Sequence, residues 1–436
     1  MTRMIISEIL GKKPTEEISF GGWVHDLRDL GNLRFIVLKD RTGFLQVTMP
    51  KKAVSEEVFK AFDNLTKESS VLVTGVVKEA KQAPNGVELI PSGFEIINKA
   101  LAPTPIDTSG KIISDLSVRL DYRFLDLRDP KRMAIFKVRS KLFLYTAEFF
   151  DSKGFTGMQS PKITQAGVES GAELFEVNYF GKKAYLSQSP QIYKQMMVVA
   201  GFEKVYDIGT VFRAEKSLTT RHLTEFTGVD FEMGFINSEQ DVMDVIEEYM
   251  KFVITKLKDS CAKEFELFGV NPVIPKKIPR ITLPEAFDIL RTKGKDMPHG
   301  EDPDPESERL LGDWAMKEHG EEFVFVTNYP WSKRPFYHMV SKELPGTTKS
   351  FDLLFNGVEV ATGAQREHRY EVLKTQAAEK GLDLDAMKDY AMIFQYGVIP
   401  HGGVGFGLDR LVQRILRLDN IKEAILLPRD PQRLNP

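Results

Sequence analysis

The stretch Phe212-Arg213-Ala214-Glu215-Lys216-Ser217-Leu218-Thr219-Thr220-Arg221-His222-Leu223-Thr224-Glu225-Phe226-Thr227-Gly228-Val229-Asp230-Phe231-Glu232 decides how the longer part of the chain is read. Val205 to Phe212 and Thr227 to Phe235 are strand-like runs on either side of a polar loop, so the segment reads as a hairpin. Such a hairpin would aim Arg213 and Arg221 at one concave face, where rigid guanidinium forks suit phosphate oxygens. A salt-bridged surface hairpin accounts for the same residues taken alone, since exposed ion pairs are common.

Working outward, further strand-like runs occur at Phe323 to Asn328, Phe351 to Phe355 and Val358 to Thr362. Ile135, Val138, Leu142, Tyr145 and Phe149 recur at helical spacing. So do Val242, Val245, Ile246, Tyr249, Val253 and Leu257, behind a capping-box-like pair, Ser238 and Asp241. Helices grouped around hairpin-linked strands predict an α+β domain on an antiparallel sheet, over residues 131–436. Near its end, His401-Gly402-Gly403-Val404-Gly405-Phe406-Gly407-Leu408-Asp409-Arg410-Leu411 sets four glycines before an amphipathic helix. Glycines let a backbone come close to a flat ligand or to another strand, and Arg410 at the helix start could meet a polyphosphate.

Residues 1–100 read differently. Short alternating runs at Ser19 to Val24, Leu33 to Leu38, Gly43 to Val47, Val71 to Val77 and Gly86 to Ile90 enclose one helix-compatible segment, Ser55 to Lys67. Five strands and a helix suggest a small OB-type barrel, although a generic β-barrel fits the same pattern. Acidic and basic residues nearly balance over this part, so charge alone does not mark a nucleic-acid binder. Residues 101–130, with Pro103, Pro105 and Gly110, read as a linker or hinge. The fold class expected is therefore multidomain, β followed by α+β.

With 436 residues, 42% of them hydrophobic and 28% charged, the chain has ordinary globular composition, which excludes a disordered, collagenous or coiled-coil protein. No apolar run reaches the ~18 residues that span a bilayer, and Met1-Thr2-Arg3 opens on mixed sequence, so a cytoplasmic location without membrane attachment is expected. The single cysteine, Cys261, has no disulfide partner and reads as a buried small hydrophobe. No His-x-x-x-His or His/Cys cluster supports structural zinc.

Together the two quoted stretches resemble motifs 2 and 3 of the class II aminoacyl-tRNA synthetases: Phe-Arg-x-Glu, a loop, Arg-His and Glu-Phe, then Gly-x-Gly-x-Gly-x-Asp-Arg-Leu. The helix from Ala134 to Phe150 leading to Pro161 is similar to motif 1, the family's dimer-forming element. With the amino-terminal barrel, the resemblance covers essentially the whole chain and narrows to the aspartate-charging members of archaeal and eukaryotic type, which lack the long bacterial insertion between motifs 2 and 3. It implies an OB-fold anticodon-binding domain, a class II catalytic domain, a homodimer, and the substrates ATP, L-aspartate and tRNA, with Mg²⁺.

Site residues follow from the same resemblance. Ser187-Gln188-Ser189-Pro190-Gln191-Ile192-Tyr193-Lys194-Gln195 looks like the family's Ser-Pro-Gln-x-x-Lys-Gln signature, and Gly363-Ala364-Gln365-Arg366-Glu367-His368 like the segment whose arginine grips the substrate side chain. Arg366 would hold the β-carboxylate bidentately with Lys194 as a second cation, while Glu169, Ser189, Gln191 and Asp230 surround the α-ammonium end. Two cations suit a carboxylate and not an amide. Arg213 would take the α-phosphate and the new aspartyl-adenylate, Glu215 the adenine edge and Phe226 the adenine face. Arg221 and Arg410 would take the γ-phosphate end, with His222, Leu223, Gly407 and Asp409 lining the nucleotide site. Arg213, Arg410 and Glu359 would serve the reaction itself, in which orientation and charge neutralisation dominate. His338 and His401 read as structural histidines. The loop from Thr164 to Ala172 carries Gly167 and Gly171, which permit hinge motion.

Asp352 and Glu359 offer hard oxygens of the kind Mg²⁺ accepts beside substrate phosphates. Strand alternation separates them unless a turn or bulge intervenes, and Asn356-Gly357 offers a turn. The resemblance supports both as magnesium residues, with Thr362 where relatives often have serine. In the barrel, splayed anticodon bases would be read by stacking and edge hydrogen bonds. Phe35 is the stacking candidate, although alternation allows it in the core, and Arg28, Gln46 and Glu88 are the polar readers. Strict selection of tRNA-Asp goes in this family with a tryptophan and a lysine at positions held here by His25 and Pro84, so the relaxed form is expected. That form also charges tRNA-Asn and depends on a partner amidotransferase. The other readings are a discriminating aspartyl enzyme, an asparaginyl-tRNA synthetase, a synthetase-like enzyme making free asparagine and a non-catalytic RNA-binding paralogue.

Overall fold

The computed structural model describes residues 3–12, 16–165, 174–298 and 300–436. Two compact units result, Met1–Met133 and Ala134–Asn435. In the first, α1 (Ile6–Ile9) precedes β1 (Glu17–Asp29), β2 (Leu33–Asp40) and β3 (Gly43–Pro50); α2 (Glu56–Ala61) leads to β4 (Ser70–Glu79) and β5 (Val87–Asn98). The strands close a five-stranded barrel in the order β1-β2-β3-β5-β4. Alternate residues such as Ile36, Leu38, Leu45, Val47, Val71 and Val73 fill its interior, as period-two patterning requires. The segment 101–130 carries α3 (Leu116–Asp121) and α4 (Arg123–Asp126), and its Arg128 reaches Glu68, itself paired with Lys39.

The second unit is built on an eight-stranded sheet. Along the chain run α5 (Pro130–Ser152), β6 (Thr156–Met158), β7 (Ile163–Thr164), β8 (Glu176–Tyr179), β9 (Lys182–Leu186), α6 (Gln191–Met197), β10 (Lys204–Phe212) and β11 (Glu225–Gly234). Then come α7 (Glu239–Ser260), α8 (Ala262–Phe268), β12 (Arg280–Thr282), α9 (Leu283–Thr292), α10 (Pro305–His319), β13 (Phe323–Thr327), β14 (Ser350–Phe355) and β15 (Glu359–Gln365). Last are α11 (Tyr370–Glu379), α12 (Lys388–Ile393), β16 (His401–Gly407) and α13 (Leu408–Ile415). The sheet order is β12-β13-β14-β15-β16-β11-β10-β6, and β7-β9-β8 form a small separate sheet.

The antiparallel sheet expected from the hairpins is found, with parallel pairing added at its two edges. Its six central strands are antiparallel, but β12 pairs with β13, and β6 with β10, in parallel. The chain runs from β12 to β13 through α9 and α10, and from β6 to β10 through β7, β8, β9 and α6, crossovers that a two-residue turn cannot make. One face of the sheet packs α5, α7 and α13 through residues such as Val138, Leu142, Phe149, Ile246, Val253 and Leu411. Cys261 is buried in that cluster, as its composition suggested. On the other face, α9 and α10 cover β13 and β14 through Leu290, Leu311, Val324 and Leu354. The centre of that second face stays open. Ser238 and Asp241 form the capping box that starts α7.

Candidate active site

The open centre is a cavity of about 590 Å³. Strand alternation decides what lines it. On β11, Val229 and Phe231 enter the core while Asp230 and Glu232 turn to the cavity side, and on β16 Val404 and Phe406 do the same opposite the glycines. Asp230 lies in register with Gly405 and Glu232 with Gly403. An added Cβ at Gly403 would sit 2.2 Å from both Glu232 Oε2 and the Phe231 carbonyl oxygen. The glycine run therefore makes room first for two carboxylates of its own neighbour strand.

Those carboxylates organise the cations. Lys194 Nζ donates to Asp230 Oδ1 at 2.9 Å and to the Val404 carbonyl at 3.0 Å, and lies 3.4 Å from Glu232 Oε2. Arg366 Nε and Nη2 donate to Glu232 at 2.9 and 3.2 Å, and its Nη1 lies 3.0 Å from His338 Nε2. Burial opposes ionisation of Glu232, yet the Arg366 and Lys194 charges hold its carboxyl below the usual range. His338 is driven well below ordinary histidine by burial and then by Arg366, so it is neutral, accepts at Nε2, and carries its proton on Nδ1, which has no partner. Because one edge of Arg366 is committed to Glu232, a substrate carboxylate would meet its Nη1/Nη2 edge. Gln191 adds a buried Nε2 with no hydrogen-bond partner. Sequence reasoning missed Glu232, and read His338 as a structural histidine without its contact to Arg366. The polar-apolar-polar order Asp230-Phe231-Glu232 was the available signal for the first; nothing local signals the second.

The nucleotide candidates converge on the same cavity: Arg213, Glu215, Arg221, His222, Leu223, Phe226, Gly407, Asp409 and Arg410 all line it. The Arg213 guanidinium lies 5.4 Å from the Phe226 ring centre and 3.7 Å from Glu215. His222 is lowered by burial and by Arg410, and its Nδ1 lies 2.6 Å from Thr219 Oγ1. Asp409 is turned away from the opening, onto Arg139 at 2.9 Å and the Thr227 amide at 2.8 Å. Ser189 and Thr362 complete the lining among the sequence candidates. Glu169 and most of the Thr164 to Ala172 loop, with Gly167 and Gly171, lie outside the described residues.

The β14–β15 hairpin carries the candidate metal ligands. Asn356 and Gly357 at its tip have φ of 48° and 68°, the pair of positive values that a tight two-residue turn demands. A bulge follows: Leu353 opposes Ala361 but Leu354 opposes Glu359, so Val360 is the extra residue. Glu359 thereby joins Thr362 on the cavity side, with Thr362 Oγ1 3.4 Å from Glu359 Oε1, and Thr362 is in register with Asp352. Arg410 Nη1 donates to the Glu359 carbonyl at 2.9 Å. Asp352 does not line the cavity; it pairs with Arg334 at 2.6 Å through Oδ2, and its Oδ1 is buried without a partner. Burial and then Asp352 push the Glu359 carboxyl up. Two crowded carboxylates, one with an unpartnered oxygen, and a hydroxyl fit a hard divalent cation completed by phosphates and water. Among the described residues no three acidic, histidine or cysteine side chains gather closely enough to hold a metal alone.

In the barrel, Phe35 is half-buried while Ile36 and Leu38, on the opposite face of the strand, are fully buried, so it lies on the outer face and not in the core. Arg28 and Thr48 are its register partners, and Gln46 is in register with Glu88. Glu88 accepts from Thr48 at 2.6 Å and Gln46 at 3.4 Å. His25 is the bulged residue between Val24 and Asp26, its ring 4.7 Å from Phe44. Pro84 opens the turn whose Asn85 donates to the Phe44 carbonyl at 3.1 Å, so both positions border Phe44.

Comparison with known proteins agrees with this geometry. Residues 115–431 match the family described as tRNA synthetases class II (D, K and N), and residues 18–97 the OB-fold nucleic acid binding domain. The chain is 45% identical to the aspartate–tRNA(Asp) ligase of Pyrococcus abyssi, over 99% of this chain and 98% of that one. It is 44% identical, over the same shares, to the aspartate–tRNA(Asp/Asn) ligase of Methanopyrus kandleri. Among solved structures, asparaginyl-tRNA synthetase from Pyrococcus horikoshii complexed with asparaginyl-adenylate gives a TM-score of 0.93 at 34% identity, covering 100% of both chains. Aspartyl tRNA synthetase from Entamoeba histolytica gives 0.90 at 29% identity, covering 100% of this chain and 93% of that one. Carrying an OB-fold domain ahead of a synthetase domain that matches along its length, the chain belongs to the class II tRNA synthetases of the D, K and N group.

Proposed function

We propose that the chain activates L-aspartate with ATP and transfers it to tRNA-Asp and also to tRNA-Asn. The observation that carries this reading is the gathering of Lys194, Arg366, Arg213, Arg410 and Glu359 around one cavity, which neither RNA binding nor a paired surface hairpin requires. The aspartate α-carboxylate attacks the α-phosphorus, its bond to oxygen forms as the bridge to pyrophosphate breaks, and the 3′-hydroxyl of the tRNA then displaces AMP from the acyl carbon. Arg366 and Lys194 orient the side chain, Arg213 holds the reacting phosphate, and Arg221 and Arg410 hold the departing end. Asp409, bonded to Arg139 and Thr227, braces the start of α13 beneath Arg410. Mg²⁺ on Glu359 and Thr362, with Asp352 behind them, would neutralise phosphate oxygens.

Curated relatives with matching length are aspartate ligases, whereas the asparaginyl reading draws on a shared fold at lower identity. His25 and Pro84 support the relaxed form, with anticodon bases read on the Arg28, Phe35, Gln46 and Glu88 face. Exposed Phe143 and Leu144 on α5 suit pairing with a second copy of the chain. No helix among the described residues is long and apolar enough to cross a membrane, and we place the enzyme in the cytoplasm, upstream of an amidotransferase that converts the mischarged tRNA. The test is charging of tRNA-Asp and tRNA-Asn transcripts with labelled aspartate, side by side. Comparable charging of both is expected; charging of tRNA-Asp alone overturns the relaxed form, and charging with asparagine in place of aspartate overturns the substrate.

A further inference from the structure

The first turn of α10 brings an acidic side chain to the nucleotide end of the cavity that no sequence motif marks. Glu308 is only 13% exposed, and its Oε2 accepts from Arg221 Nη1 at 2.9 Å. Its own backbone is held fast. An added Cβ at Gly312 would lie 2.5 Å from the Gly357 nitrogen, and one at Gly357 would lie 2.6 Å from Arg309 Cα. Helix α10 is thus pressed onto the tip of the β14–β15 hairpin, capped by Asp304, which accepts from the Ser307 amide at 2.8 Å. Arg414 Nη2 ties the same tip from the other side, at 3.0 Å from the Asn356 carbonyl.

Arg221, by contrast, belongs to the polar loop between β10 and β11 and carries a long side chain with many rotamers. A guanidinium has five N–H donors, and the Glu308 contact engages Nη1 alone. We propose that Glu308 is a positioning residue for the triphosphate: it holds Arg221 in place beside Glu359 and Arg410, so that the terminal phosphates of ATP and pyrophosphate meet a guanidinium already oriented. The proposal rests on the reading of Arg221 as a ligand of the γ-phosphate end. It adds a residue from the segment between motifs 2 and 3, and it couples the packing of α10 to nucleotide affinity.

The test is aspartate-dependent ATP–pyrophosphate exchange by the full-length enzyme carrying Glu308→Ala, Glu308→Gln, Arg221→Ala or the Glu308→Ala/Arg221→Ala pair. Glu308→Ala is expected to raise the KM for ATP about tenfold, the loss of one charge-assisted hydrogen bond, with the KM for aspartate within about twofold of wild type. Glu308→Gln, which can still accept from Arg221, should recover most of that loss. In the Arg221→Ala background, Glu308→Ala should add less than about twofold, because its partner is gone. A smaller folded fraction lowers the apparent kcat and leaves KM alone, so misfolding does not imitate this pattern. An unchanged or lower ATP KM in Glu308→Ala beside a raised one in Arg221→Ala overturns the role of Glu308 only. Additive effects in the double variant do the same. An unchanged ATP KM in Arg221→Ala overturns the reading of Arg221 and the proposal with it.

Discussion

Replacing Arg366 by lysine keeps the charge and removes the fork. In the structure the arginine makes three contacts at once, Nε and Nη2 on Glu232 and Nη1 on His338. An ammonium on a straight stem cannot span both partners. His338, whose Nδ1 already lacks a partner, would lose the donor on Nε2 as well. A buried polar group left unpaired costs about 1–3 kcal/mol, which for a domain of this size lowers the thermal midpoint on the order of 2–12 °C. The substrate carboxylate would lose one charge-assisted hydrogen bond from the Nη1/Nη2 edge, about 1.5–3 kcal/mol or roughly 10- to 150-fold in kcat/KM. Aspartate-dependent pyrophosphate exchange separates the two substrates. The expected outcome is a raised KM for aspartate at unchanged KM for ATP. An aspartate KM within twofold of wild type, or a defect confined to ATP, would refute the assignment of Arg366 to the amino-acid end.

Other outcomes follow from other parts of the molecule. Gly403→Ala should destabilise by at least about 1–3 kcal/mol in denaturant unfolding, since the new methyl meets Glu232 Oε2 and the Phe231 carbonyl at 2.2 Å; a wild-type midpoint contradicts the packing described. Phe35→Ala should weaken tRNA charging on the order of tenfold or more through the tRNA KM, with pyrophosphate exchange unchanged; equal loss in both assays would place Phe35 in folding instead. His338 has a folded-state pKa below its unfolded value, so its contribution is complete above about pH 6.5 and is lost as pH falls below that, where the unfolded chain takes up the proton. Wild type and His338→Asn should therefore converge in unfolding midpoint between pH 7.5 and 5.5. The comparison cancels Glu308, whose carboxyl is pushed up to about 7 by burial and by Glu359 and whose contribution runs the opposite way. A gap that widens on acidification contradicts a neutral buried His338.

The elements that carry the candidate site were legible because their periodicity is local, while the candidate residues on them came from the resemblance of short motifs. The strands β10 and β11 follow from alternation, and the Asn356-Gly357 turn from the need for two positive φ values. What alternation could not supply was contact between distant segments. Arg221 and Glu308 are 87 residues apart; Arg366 meets His338 because a loop lies beside the end of β15. Neither pairing leaves a period in the sequence. The parallel edges were hidden for a related reason, since a crossover is a property of how the intervening chain returns and not of the strand's own residues. Phe35 shows the converse: alternation left core and surface equally open, and the fully buried Ile36 and Leu38 fix it on the outside.

The β14–β15 hairpin, with its bulge at Val360, has a consequence for how the gene can vary in length. Regular pairing would return Glu359 to the side of Leu353 and Ala361, inside the apolar layer. Straightening the bulge with Val360 kept would thus invert the carboxylate relative to Thr362 while leaving every chemical group in the chain present. A lengthened turn is equally barred, because the tip is jammed against α10 without space for a methyl group. Insertions that surface hairpins ordinarily absorb should be purged from this tip, making the length of the turn, as much as its residue identities, a signature of the enzyme.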